Sequence, residues 1–171
     1  MVDIRSPVEI SVPGAAKFTA AMKWNGQRGP VLTGDCSKFT LLITNLSVSQ
    51  PLNGAITLEM GLVSPTGWRA SPTRTFRVDA GPGQEIQIPI PDDWMFVEGK
   101  VVYVLKHGSF SSTQSSLSIP LDHPLASFTV FERSTFHSDR IKTWTTLLLA
   151  AVAAVASFIA AAATLHWSIV W

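Results

Sequence analysis

The sequence predicts an all-β sandwich followed by one C-terminal α-helix long enough to cross a membrane. Three observations carry this reading. Up to about residue 132 the chain falls into short runs of alternating or β-branched residues separated by Pro and Gly, the pattern of a two-sheet β domain. No stretch in that region has the apolar spacing of an amphipathic helix. From residue 143 to 171 there is no Asp, Glu, Lys or Arg.

The expected strands follow in order. "VEISV" (8–12) comes first, then "KFTAAMKW" (17–24) ahead of the turn "NGQRGP". "KFTLLITNL" (38–46) alternates strongly, placing Phe39, Leu41 and Ile43 on one face and Thr40, Leu42 and Thr44 on the other. "AITLEMGLV" (55–63), "RTFRV" (74–78) and "EIQIPI" (85–90) come next, and "KVVYVLKH" (100–107), "SLSIPL" (116–121) and "ASFTVFE" (126–132) complete the series. The domain boundaries expected are 1–132 for the β domain, 133–142 for a charged juxtamembrane linker, and 143–171 for a transmembrane helix.

The helix rests on "TTLLLAAVAAVASFIAAAATLHW" (145–167). About 20 apolar residues span the roughly 30 Å of bilayer hydrocarbon. Trp144 stands at one end, with Trp167 and Trp171 at the other, and indole rings favour membrane interfaces. Arg140 and Lys142 precede the span, so the excess of positive charge places the β domain on the cytoplasmic side and the C-terminus on the opposite side. The opening "MVDIRSPVEISVPGAAKF" has no apolar signal region. Together these predict a single-pass, tail-anchored protein. Ala150/Ala154, Ala153/Ser157 and Ala156/Ala160 are small residues four apart. That spacing lets transmembrane helices approach closely, and an Ala-rich sequence also produces it by chance.

Composition excludes several functions. Thirteen basic and twelve acidic residues give a formal charge of +1, which argues against a nucleic-acid protein. One cysteine, Cys36, forbids an intramolecular disulfide. His107, His123, His137 and His166 lie far apart, with no metal-ligand spacing to Cys or acids. Asp92 and Asp93 in "PDDW" read as a solvated turn. No phosphate-binding or dinucleotide glycine motif occurs. The expectation is a non-enzyme with no cofactor and no metal. Asn45-Leu46-Ser47 is a formal glycosylation sequon. Trp24 beside "NGQRGP", Trp94 in "DDWMF" and Phe110 in "HGSFSS" are expected at loop tips. There they serve as partner anchors or fold back over the ends of the sandwich.

The stretch from "LLITNL" to "EIQIPIP" resembles the immunoglobulin-like modules of the NEW3/CARDB type. The resemblance is carried by Thr44-Asn45, Pro65-Thr66-Gly67-Trp68, Ser71-Pro72 and Gly81-Pro82-Gly83. It implies an immunoglobulin-like β-sandwich with structural roles for these residues. Gly67 is expected to permit a tight turn, Trp68 to be buried, and Asn45 to bond to turn backbone. The arrangement of such a domain before a C-terminal anchor is similar to that of VAP-type adaptors. The expected function is an accessory or scaffolding subunit. Its partners would be the lipid bilayer and other membrane subunits or further copies of itself. Two alternatives remain open: an oligomerising membrane-disrupting effector, and a carbohydrate- or ligand-binding module.

Overall fold

A computed structural model describes residues 2–13, 16–26, 28–64, 67–71, 73–111 and 116–169, with backbone alone at Ser64, Trp68 and 162–169. The chain divides into two compact units, Met1–Glu132 and Arg133–Trp171. The first is built from strands. These are β1 (Asp3–Ile4), β2 (Val8–Ser11), β3 (Lys17–Trp24), β4 (Val31–Leu32), β5 (Cys36–Ser37), β6 (Phe39–Asn45) and β7 (Leu52–Ser64). They continue with β8 (Gly67–Ala70), β9 (Arg74–Ala80), β10 (Glu85–Pro89), β11 (Asp93–Trp94), β12 (Gly99–Ser111) and β13 (Ser116–Phe131). The second unit is one helix, α1 (Arg133–Ile169).

Period-2 alternation sets the long strands. In β6, burial switches at every residue, with Phe39, Leu41, Ile43 and Asn45 inside. A four-stranded sheet runs β10-β6-β3-β2. A larger sheet runs β1-β13-β12-β7, with β8 and β9 both pairing with β7 and β4 joining β13. The β4–β13 pair is parallel. β11 and β5 form a separate two-stranded ladder. The buried faces of the two large sheets contribute to one core, which includes Phe18, Leu41 and Ile43 from one and Ile56, Val101, Leu105, Phe110 and Phe128 from the other. Rings meet across it: Phe18 and Phe110 have centroids 5.2 Å apart, and Phe39 and Tyr103 are 5.0 Å apart. Burying a large apolar side chain of this kind stabilises by about 1.5–3 kcal/mol.

The strand expected over 116–121 and that over 126–132 are one element, β13. Its ladder with β12 passes over Leu125 and Leu121-Asp122 through register shifts near Tyr103 and Leu105, and Asp122 has a positive φ of 48°. Proline is tolerated at such an irregularity because no ladder N–H is needed there. Residues 133–142, expected as a linker, are helical and form the first turns of α1.

Two expected loop-tip aromatics are not at loop tips. Phe110 lies within β12 and is 1% exposed. Its neighbours explain this. A side chain on Gly54 would meet the Phe110 ring and the Ser109 carbonyl, and one on Gly108 would meet the same ring. The bare glycines therefore make the space that Phe110 fills. Trp24 ends β3, and its ring packs edge-on against Phe39 at 4.8 Å and against Phe128 at 6.2 Å. Gly26 lies beneath that indole, so the Asn-Gly turn lets the ring fold back on the core.

The roles expected of Gly67 and Asn45 can be followed on described residues. Gly67 has φ 114°, which favours glycine. Asn45 is fully buried and donates from Nδ2 to the carbonyls of Gln50, Ala80 and Gly81, while its Oδ1 accepts from Ser47 N–H. Gln84 N–H donates to Gly81 O, closing the turn before β10. Pro65, Thr66, Pro72 and the Trp68 side chain lie outside what is described.

Among the described residues, α1 carries a segment, Arg133–Ala161, that is long and apolar enough to cross a membrane, and none of it is buried. Three hydroxyls in its apolar stretch bond back to the helix's own carbonyls. Thr145 donates to Ile141 O, Thr146 to Lys142 O, and Ser157 to Ala153 O, each at 2.9 Å. A polar group that bonds its own backbone avoids an unmet hydrogen bond in an apolar medium.

Candidate functional site

The loop that begins with "PDDWMFVEG" is held as a rigid, outward-facing structure. β11 pairs antiparallel with β5, with Asp93 opposite Ser37 and Trp94 opposite Cys36. Met95 N–H donates to Asp35 O, and Gly34 N–H donates to Met95 O. The Met95 side chain is buried and belongs to the core.

A charged clamp reinforces this loop. Arg74, at the start of β9, donates from both terminal nitrogens to the Asp93 carboxylate, at 3.1 and 2.5 Å, and also to Pro91 O at 2.9 Å. The planar guanidinium suits this two-point geometry, which a lysine cannot reproduce. Tyr103 donates its hydroxyl hydrogen to Asp93 at 3.2 Å, and the Ser37 hydroxyl lies 3.0 Å from the Tyr103 oxygen. The expectation of a solvated acidic pair is therefore corrected for Asp93. Its side chain is only 14% exposed, because Arg74 supplies the charge that makes its burial tolerable. Asp92 stays exposed.

The chain of groups Ser37, Tyr103, Asp93 and Arg74 resembles a proton relay in outline, but it has no room for a substrate. The void beside it, lined by Leu58, Met60, Ser71, Arg74, Ile90, Asp93 and Tyr103, measures about 10 Å³, one water at most. Burial pushes the Tyr103 phenol well above its ordinary value near 10, and the nearby Asp93 charge adds to this against the Ser37 bond. The Cys36 thiol is also raised, first by desolvation and then by Asp92 beside it. A raised thiol holds less thiolate and is a weaker nucleophile at neutral pH. Among the described residues every buried side-chain nitrogen and oxygen has a hydrogen-bond partner, and no group of three His, Cys, Asp or Glu could hold a metal ion.

What the clamp presents to the outside is apolar. Trp94 is 60% exposed, Phe96 77% and Val97 54%. Of the three aromatic anchors expected, Trp94 alone has the exposed loop position, and Phe96 and Val97, which sequence reasoning did not select, join it. The signal was present in "DDWMFV": four large apolar residues follow two acids, and only Met95 is buried.

On α1, the residues singled out for helix packing share one side. With about 100° per residue, Ala150, Ala153, Ala154, Ala156, Ser157 and Ala160 fall within an arc of roughly 160°. The larger Leu148, Val152, Val155 and Ile159 fall on the opposite side, while Leu149 falls within the arc. Arg140, Lys142 and Trp144 are exposed near the start of the charge-free stretch. Trp167 falls in the helix by its backbone alone, and Trp171 lies outside the described residues.

Compared with known proteins, the chain matches no family model and no curated protein sequence.

Proposed function

We propose that this chain is a non-enzymatic, single-pass membrane subunit: an immunoglobulin-like β-sandwich anchored by α1, acting as an accessory or scaffold within a membrane assembly. The observation that carries the reading is the direct junction of a strand-built unit ending at Glu132 to a helix of membrane-spanning length that begins at Arg133. The ring contacts between the two large sheets support the sandwich assignment. The self-contained hydroxyl bonds of α1 support residence in lipid.

Two surfaces suit partner recognition. The small-residue side of α1 allows close packing of another transmembrane helix. The outer strands β2 and β10 of the four-stranded sheet each pair with only one neighbour among the described residues, and such edges accept an added strand. Arg140 and Lys142 support a cytoplasmic placement of the β unit.

The test is fractionation of membranes from cells expressing the full chain, with protease added to sealed vesicles. Under this reading the protein stays in the pellet through an alkaline wash, and its β unit is digested in cytoplasm-side-out vesicles. Release by the wash would remove the anchor, and protection of the β unit would reverse the topology.

A further inference from the structure

We infer that the Trp94–Phe96–Val97 loop is a second, shallow membrane contact that inserts into the interfacial layer of the bilayer holding α1. The inference rests on the anchor reading above and adds the lipid surface as the occupant of the loop.

An exposed apolar loop on a mobile chain would fold back to hide its side chains. Here that is prevented, because the Arg74–Asp93 clamp and the two Met95 backbone bonds fix the loop on both sides of Trp94. Met95 is buried while Phe96 and Val97, which follow it, are exposed. A large apolar group held in water costs about 25 cal/mol per Å² of its surface, which burial in an apolar phase would recover.

Position decides between lipid and other occupants. Thr33 N–H donates to Phe131 O, Leu32 pairs with Phe131, Gly34 N–H donates to Met95 O, and Gly99 pairs with Val130. These bonds place the loop at the same end of the β unit as Phe131, where the chain leaves it. Only residues 132–142 then separate that end from the charge-free stretch of α1. A loop tethered so near a bilayer meets it at high effective concentration, so weak insertion suffices. Tryptophan and phenylalanine are suited to the interfacial layer. The charges beside the loop nearly cancel: Lys38 and Lys100 face Asp92 and Glu98 in number. Apolar insertion, rather than attraction to anionic lipid, is therefore the driving term.

The test places single cysteines carrying an environment-sensitive fluorophore on the full chain, with Cys36→Ser removing the native thiol. Phe96→Cys reports the loop. Val48→Cys is the control, an exposed apolar site (95% exposed) between β6 and β7 at the far end of the unit. Val152→Cys reports the helix. The protein is reconstituted in phosphatidylcholine vesicles with and without spin-labelled lipid. Quenching by the labelled lipid is expected at 152 and at 96, the latter at least about twofold above 48 and unchanged by salt. Quenching at 152 with 96 equal to 48 would overturn the inference and leave the anchor standing. Shielding of 96 from aqueous iodide without lipid quenching would overturn it in favour of a protein contact. Absence of quenching at 152 would overturn the anchor and the inference together.

Discussion

Asn45 shows how one buried side chain can hold a corner of the fold. Its amide nitrogen serves three carbonyls from two separate segments, and its oxygen caps Ser47. Asn45→Ala should destabilise the β unit by about 2–4 kcal/mol, because buried carbonyls lose their donor; thermal unfolding would measure it. The same geometry disposes of the sequon. The nitrogen that a glycan would occupy is buried and fully used, so the folded unit has no place for a sugar there. Tyr103 offers a second test at this scale, since it is the only tyrosine in the chain. Its folded pKa is raised. The unfolded state therefore loses the phenolic proton first, and the stability contributed is whole below the unfolded value of about 10 and falls as pH rises above it. In an absorbance titration, phenolate should appear only together with unfolding; a reversible phenolate signal from the native protein near its ordinary value would contradict the burial.

At the scale of elements, what was legible follows from periodicity. The long strands declare themselves by alternation, as in Phe39, Leu41 and Ile43, and most form as expected with modest changes at their ends, while the runs over 116–121 and 126–132 merge into β13. The short ladders β1, β4, β5, β8 and β11 were not legible. Two to four residues carry no period, and their pairing is set by distant partners, as Cys36 is by Trp94. Turn composition misplaced Phe110 and left open whether Trp24 folds back, because glycines beside both accept a ring instead of exposing it. The clamp was hidden for a similar reason: Arg74 and Asp93 are 19 residues apart and meet only in the fold. Arg74→Met should cost about 1–3 kcal/mol, since it strands a largely buried carboxylate. Hydrogen exchange should speed up at the Gly34 and Met95 amides in particular; uniform protection across the mutant would contradict a clamping role. Gly54→Ala should cost about 1–3 kcal/mol by overpacking against the Ser109 carbonyl and Phe110, read by denaturant unfolding. On α1, Ala153→Leu should reduce association in membranes where Val155→Leu, on the opposite side, leaves it unchanged. Equal effects of the two would remove the distinction between faces.

For the molecule as a whole, the two units divide the work. The β unit is satisfied within itself: its described buried polar groups are all paired, and its relay-like network encloses no more than about 10 Å³. The helix is the reverse, with apolar side chains such as Leu148 and Val152 exposed along its length. An exposed apolar surface of that extent needs lipid or another helix to cover it. Composition made this division legible from the start, because every charged side chain lies between Asp3 and Lys142. The measurement that bears most directly on the central claim is purification of the full chain from its native membrane in mild detergent, with mass spectrometry of what remains bound. The expected result is a membrane protein held in fixed proportion, or the chain itself at a defined multiple of its mass. A strictly monomeric protein with nothing bound would contradict it.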